Sequence, residues 1–291
     1  MLKTATELIV DSWDLYSKNW RKFLPFMIMS FLPTLILSAL GTITLFLEMY
    51  LPSSSLASNI IILIVFAASM VFAIWVTVAL ARTILNCLLA KPTEWRETFS
   101  SSSNLIWPVI ITSFLVTLSV IGGTLLLIIP GMIFAVWYSF TSYAVIFEGA
   151  KGLNAMRASK SLVVGRWWSI AWRMFVMAFV FGFLSSALSY VLAYLIRLIP
   201  MPVFLQSAFA NVFSSLTSSI VAPLAAGAMI ILYQSAKQNP APIAPPTMDN
   251  NLEKKLPPSG FGKLFESLGK LIGGLIIAAL VGIVLFSLFG L

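Results

Sequence analysis

The 291-residue sequence has no histidine, one cysteine (Cys87) and only 10% charged residues. Each shortage excludes a class of chemistry. Without histidine the commonest general acid/base is missing, and with it the usual nucleophilic triads. Zinc and haem sites of the ordinary kinds are not expected either, and no cofactor is implied. A single thiol closes no internal disulfide. Soluble domains carry about 25% charged residues, so a chain this poor in charge would leave too much apolar surface in water. The start, Met1-Leu2-Lys3 followed by Glu7, Asp11 and Asp14, has no uninterrupted apolar core, so no cleaved signal peptide is expected.

What the chain has is apolar length. Hydrophobic residues make up 59% of it, the mean hydropathy is +0.98, and stretches near the ~20 residues that cross a bilayer as helix recur throughout. The expected fold is all-α: a polytopic bundle of six core spans arranged as three units, each an interfacial helix plus a hairpin, with a seventh helix at the C-terminus. The domains read as a membrane domain over 1–237, a proline-rich polar linker over 238–261 and a terminal transmembrane helix over 262–291.

Residues 4–20 are too charged to span, yet Ile9, Trp13, Tyr16 and Trp20 share one helical side, which predicts an amphipathic helix lying in the interface. A span at 23–47 follows, entered through Arg21 and Lys22, with Pro25 and Pro33 expected to bend its start. The second span is expected at 59–81 and a surface helix within 91–103. The third and fourth spans, 104–129 and 131–147, are read as a hairpin turned by Pro130 and Gly131. The alternative for 131–147 is a re-entrant segment, because its length lies at the lower edge of the spanning range. A third surface helix covers 151–166, with Leu153, Met156 and Val163 on one stripe. Trp167, Trp168 and Trp172 then form an aromatic belt before spans at 169–195 and 203–233.

Alternating these spans from a cytoplasmic N-terminus puts almost every Lys and Arg on one side, with Arg197 the exception. That is the pattern the positive-inside rule requires. The net charge of +8 is thereby explained by topology in a cell membrane, and no nucleic-acid partner is implied.

Few residues suggest more than architecture. Arg173, just inside the fifth span, is read as snorkelling to the interface, with a functional charge as the sharper alternative. Glu148 ends the fourth span and is expected to pair with Lys151 or Arg157, the alternative being a proton-coupling carboxylate. The sixth span holds Asn211, Ser214, Ser215, Thr217, Ser218 and Ser219 before Pro223. Helix packing is the favoured reading, and a polar path or broken helix is the other. In the last helix Gly274, Ala278 and Gly282 form a small-residue stripe suited to close approach, either to a second copy, to another membrane protein or to the core. The glycine pairs 122–123 and 273–274 lack the setting of a phosphate loop, so nucleotide binding is rejected.

The stretch 125–168, LLLIIPGMIFAVWYSFTSYAVIFEGAKGLNAMRASKSLVVGRWW, resembles a bacterial six-span membrane-domain family that includes the membrane region fused to some glycerophosphodiester phosphodiesterases. The resembling positions are Ile129-Pro130-Gly131, Trp137, Glu148-Gly149, Ala155, Arg157, Ser159 and Gly165 before an aromatic segment. The resemblance implies a prokaryotic cell-membrane protein and brings no established activity. The catalytic barrel of the fused relatives, with its histidines and metal-binding acids, has no counterpart here. The expectation is therefore a non-catalytic module that contacts membrane lipids or organises the envelope. The rival is a transporter or channel for a small solute or lipid.

Overall fold

The computed structural model describes residues 2–50, 55–200 and 202–240. The linker beyond Pro240 and the terminal helix, with Gly274, Ala278 and Gly282, lie outside the described residues. Among the described residues the chain is all-α: α1 Ala5–Tyr50, α2 Ser55–Leu88, α3 Trp95–Ser101, α4 Ile106–Leu126, α5 Ile128–Trp137, α6 Thr141–Glu148, α7 Leu153–Val163, α8 Trp167–Arg197 and α9 Val203–Gln238, with a 3-10 turn at Ser103–Leu105. Six segments are long and apolar enough to cross a bilayer: Ala5–Gly41, Leu63–Leu88, Trp95–Leu126, Ile128–Glu148, Trp167–Arg197 and Leu205–Gln238. The chain is a multi-pass membrane protein.

The surface segment 4–20 is not a helix of its own. It is the start of α1, which runs unbroken for 46 residues, about 69 Å at 1.5 Å per residue. A reciprocal cap sets its beginning: the Glu7 carboxylate accepts from the Thr4 backbone N–H at 2.7 Å, and the Thr4 hydroxyl accepts from the Glu7 N–H at 3.3 Å. No breaker lies between Lys18 and Lys22, and the helix continues through Pro25 and Pro33. Since a bilayer's hydrocarbon is about 30 Å thick, α1 extends well beyond it.

α9 is the central helix, with 56% of its apolar window buried against 11% for α8. α1 lies antiparallel along it. The Lys3 N–H donates to Ser235 Oγ at one end, and the Ser38 hydroxyl donates to the Ala208 carbonyl at the other. α8 packs on α9 as its antiparallel neighbour, and α2 on α1.

The turn between α4 and α5 falls at Leu127, whose backbone is extended (φ −163, ψ 149), and not at Pro130-Gly131, which lie inside α5. Proline fixes a φ suited to the first turn of a helix, where its missing N–H costs nothing, so Pro130 begins a helix here. Gly131 serves close approach: a Cβ on it would sit 2.1 Å from Thr124 Oγ1 and 2.9 Å from Thr124 Cα, across the hairpin. The expected fourth span is broken after Trp137. Ser159 of α7 bridges the break, its hydroxyl donating to the Trp137 carbonyl at 2.7 Å and accepting from the Phe140 N–H at 3.1 Å. α6 then stops at Gly149, which adopts φ +70 while the Ala150 N–H reaches back to the Ala144 carbonyl at 3.3 Å.

α7 buries Ala155, Met156, Ser159 and Val163. Leu153, expected on that stripe, occupies the first position of the helix and is exposed. Two apolar clusters form the interior. One joins Phe23 and Phe26 of α1 to Val76, Ile84, Val145 and Ile230; the other joins Leu8, Phe140, Val163, Ile170 and Tyr233.

Candidate functional site

The start of α1, the ends of α2 and α9, the start of α8 and the short helices α3, α6 and α7 meet at one end of the bundle. The lysines and arginines of 3–22, 82–96, 151–173 and 237 belong to these elements or to the segments that flank and join them, and Arg197 stands at the far end of α8. Three arrangements of polar side chains occupy this basic end.

The first centres on Glu148. Its Oε1 accepts from Lys237 Nζ at 2.8 Å and from the Tyr233 hydroxyl. Both donors come from α9, so the expected pairing with Lys151 or Arg157 is replaced by a tie between α6 and the central helix. The αL turn at Gly149 redirects the chain immediately after Glu148, and Arg157 lies on the exposed face of α7. Tyr233 is 1% exposed and sits among Phe140, Tyr143 and Phe147, with ring centroids 5.7, 5.8 and 5.8 Å away. Edge-to-face and tilted contacts of this kind add to burial, and the hydroxyl needs a partner once desolvated. The Glu148 side chain retains 32% exposure and that of Lys237 54%, so their ion pair alone contributes well under about 1 kcal/mol.

The second is a pair of arginine clasps. Arg166 caps the N-terminus of α8, where its charge opposes the helix dipole, but its guanidinium donates to the Ala236 carbonyl at 2.5 Å and to the Asn239 carbonyl. Those groups belong to the C-terminus of α9, where a cation is favoured and carbonyls lack helical partners. Antiparallel packing of α8 on α9 brings the two ends together. Burial, and the neighbouring Arg173, push the Arg166 guanidinium below its ordinary pKa. Almost two turns into α8, Arg173 donates to the Ser169 carbonyl at 2.5 Å, to the Lys3 carbonyl at 2.6 Å and to the Leu2 carbonyl at 3.4 Å. It binds the segment that precedes α1.

The third is a cavity of about 520 Å³ lined by Arg21 and Lys22 of α1, Thr83 of α2, and Thr93, Glu94, Trp95 and Arg96 at the start of α3. Among the described residues Arg21, Lys22 and Arg96 form no ion pair. Two of them lie over indole rings, Arg21 at 5.6 Å from the Trp20 ring centre and Arg96 at 5.2 Å from that of Trp95. α3 is fixed by Trp75, whose indole N–H donates to the Phe99 carbonyl at 2.8 Å while its ring stacks on Phe99 at 4.1 Å. On the other side of α3 a cavity of about 300 Å³ is lined by Arg82, Asn86, Glu94, Glu97 and Ser101, and Arg82 donates to the Ser101 hydroxyl at 3.2 Å.

The polar residues of α9 are spread along that helix and do not converge. Thr217, Ser218 and Ser219 each donate to a carbonyl four residues back, at 2.8 to 2.9 Å, and α9 passes through Pro223 unbroken. Asn211 is exposed, while Ser215 is half-buried and its carbonyl receives Ser219. Glu148, Arg157 and Arg173 lie at the basic end; Asn211 and Ser215 lie towards the other, and Pro130 and Gly131 belong to the α4–α5 hairpin.

Sequence reasoning missed Ser159 as a bridge, Arg166, Tyr233 and Lys237. A signal existed for Arg166: an arginine at a helix N-terminus is electrostatically misplaced unless a neighbouring C-terminus uses it. For Glu148 there was none, since Tyr233 is 85 residues away. Comparison of the chain with protein-family models, with curated proteins and with solved structures found no match.

Proposed function

We propose that the chain is a non-catalytic lipid-contacting module of a cell membrane, with its N-terminus and basic end cytoplasmic, and that it gathers anionic lipid headgroups there. The observation that carries this reading is the cavity of Arg21, Lys22 and Arg96. Three cations without ion-pair partners among the described residues, supported by Trp20 and Trp95, line one space with the single carboxylate of Glu94. A phosphate group supplies the countercharge, and basic side chains near an anionic leaflet contribute about 1 kcal/mol each. Tryptophan is the residue that favours headgroup depth. The resemblance of 125–168 to a bacterial membrane-domain family fits this reading, and the absence of histidine argues against acid/base catalysis.

The test is lipid retention. Protein delipidated in detergent and incubated with phosphatidylglycerol or phosphatidylcholine, then weighed by native mass spectrometry, should retain the anionic lipid preferentially. Combined Arg21→Gln, Lys22→Gln and Arg96→Gln substitutions should lower that preference at least fivefold. Equal retention of the two lipids by the unaltered protein sinks the proposal.

A further inference from the structure

The turn of a hairpin that crosses a bilayer emerges on the far side, where polar residues meet water. The α4–α5 turn has the opposite character. Leu125, Leu126, Leu127, Ile128 and Ile129 are five consecutive large aliphatics, 69% to 83% exposed. The nearest polar side chain, Thr124, turns its hydroxyl back onto the Val120 carbonyl at 2.9 Å. Nothing in this turn is suited to water.

Its position agrees with its composition. Trp167 donates its indole N–H to the Ile133 carbonyl at 3.4 Å, and Ile129, Met132, Ile133 and Trp137 of α5 share a cavity of about 580 Å³ with Trp167 and Trp168. These tryptophans are the first residues of α8, next to Arg166 and the last carbonyls of α9. α8 continues for about 45 Å beyond them to Arg197. The tip of the hairpin therefore stands beside the same end of α8 at which the hairpin begins and finishes. Its base is held there too. Thr112 accepts from the Gly152 N–H at 3.0 Å, Glu148 is tied to Lys237, and Lys160 lies 4.2 Å over the Trp137 ring. α5 breaks after 10 residues, about 15 Å of helix, or half the hydrocarbon thickness; the whole segment Ile128–Glu148 has the length to cross, and it is the place of the tip beside α8 that argues against it. At the far end, where Leu35, Ser38, Leu205 and Ala208 of α1 and α9 meet, the described lining residues come from α1 and α9.

We infer that α4 and α5 form a re-entrant hairpin embedded in the leaflet on the basic side, whose partners are the acyl chains of that leaflet. One chain lies in the slot between α5 and Trp167–Trp168. At the turn the Leu127 N–H donates to the Gly123 carbonyl at 3.1 Å and the Gly131 N–H to the Leu127 carbonyl at 3.4 Å, Pro130 has no N–H to satisfy, and Ser159 closes the break after Trp137, so these backbone groups are bonded internally, as contact with lipid favours. Of the six apolar segments, α1, α2, α8 and α9 cross. The return to the basic side keeps Lys151, Arg157 and Lys160 on the face with Arg21 and Arg96, without any basic residue being carried through the bilayer. This inference is independent of headgroup selection at Arg21, Lys22 and Arg96, and loss of that selection leaves it standing.

The test uses the full chain with Cys87→Ser in sealed proteoliposomes of one orientation. Leu127→Cys, Leu198→Cys and Ser101→Cys are compared for labelling by a membrane-impermeant maleimide added to either side. Leu198→Cys and Ser101→Cys should label from opposite sides. Leu127→Cys should label from neither, and a bimane placed on it in detergent before reconstitution should be quenched several-fold more by mid-chain nitroxide lipid than by aqueous iodide. Labelling of Leu127→Cys from the Leu198 side overturns the re-entrant hairpin, and labelling from the Ser101 side overturns its burial in the leaflet.

Discussion

The two ends of the bundle are built on different terms. At the basic end, side chains bond the backbones of other elements: Ser159 to the α5–α6 break, Arg166 to the end of α9, Arg173 to the segment before α1, and Trp75 to α3. Towards the opposite end the Ser38 hydroxyl donates to the Ala208 carbonyl at 3.4 Å. Large side chains such as Tyr190 and Tyr194 there face outward from α8. The difference follows from the solvent. Lipid tails are as apolar as leucine, so helices gain little by burying leucine against each other within the bilayer. Where water competes, apolar burial regains its force and unpaired backbone groups become costly. Among the described residues, side chains that hold the backbone of another element gather at the basic end, where that competition is strongest.

Substitutions can break this comparison, with unfolding followed in mixed micelles by titration with denaturing detergent. Phe140→Ala, at a fully buried site against Tyr233, should cost the most, about 4 kcal/mol. Ser159→Ala leaves the Trp137 carbonyl and the Phe140 N–H without their partner and should cost about 3 kcal/mol, while Ser161→Ala on the exposed face of α7 should cost almost nothing. Gly131→Ala forces Thr124 aside and should cost about 2 kcal/mol. Tyr233→Phe removes one hydrogen bond to Glu148 but keeps the aromatic packing, for about 1 kcal/mol. Smallest is Tyr194→Ala at the opposite end, 65% exposed, for which a loss under about 0.5 kcal/mol is expected. If Tyr194→Ala proves as damaging as Phe140→Ala, the division between the ends is false.

Much of the fold was legible because each apolar run announces itself within a short window of sequence. The surface character of 151–166 was legible for the same reason, since α7 carries a local amphipathic pattern that its neighbours do not need to supply. The turn at Leu127 was not. It lies inside an unbroken aliphatic run, and the punctuation offered by Pro130-Gly131 belongs to a helix start and a close contact. The boundary between surface segment and span in α1 was misplaced because a change from polar to apolar side chains does not interrupt helical hydrogen bonding. The partners of Glu148 and Arg166 lie 85 and 70 residues away, beyond the reach of any local pattern.

By itself the sequence determined that this is an all-α, multi-pass membrane protein, because hydropathy and helical periodicity are properties of neighbouring residues and the bilayer permits little else for such a chain. Its basic residues were already grouped by position relative to the apolar runs. Only the tertiary structure decided which carbonyls those cations hold, that α9 is the central helix, and that the tip of the α4–α5 hairpin rests beside the start of α8. These depend on the packing of segments far apart in the chain, where the same leucine or arginine has a different role according to which helix end lies beside it.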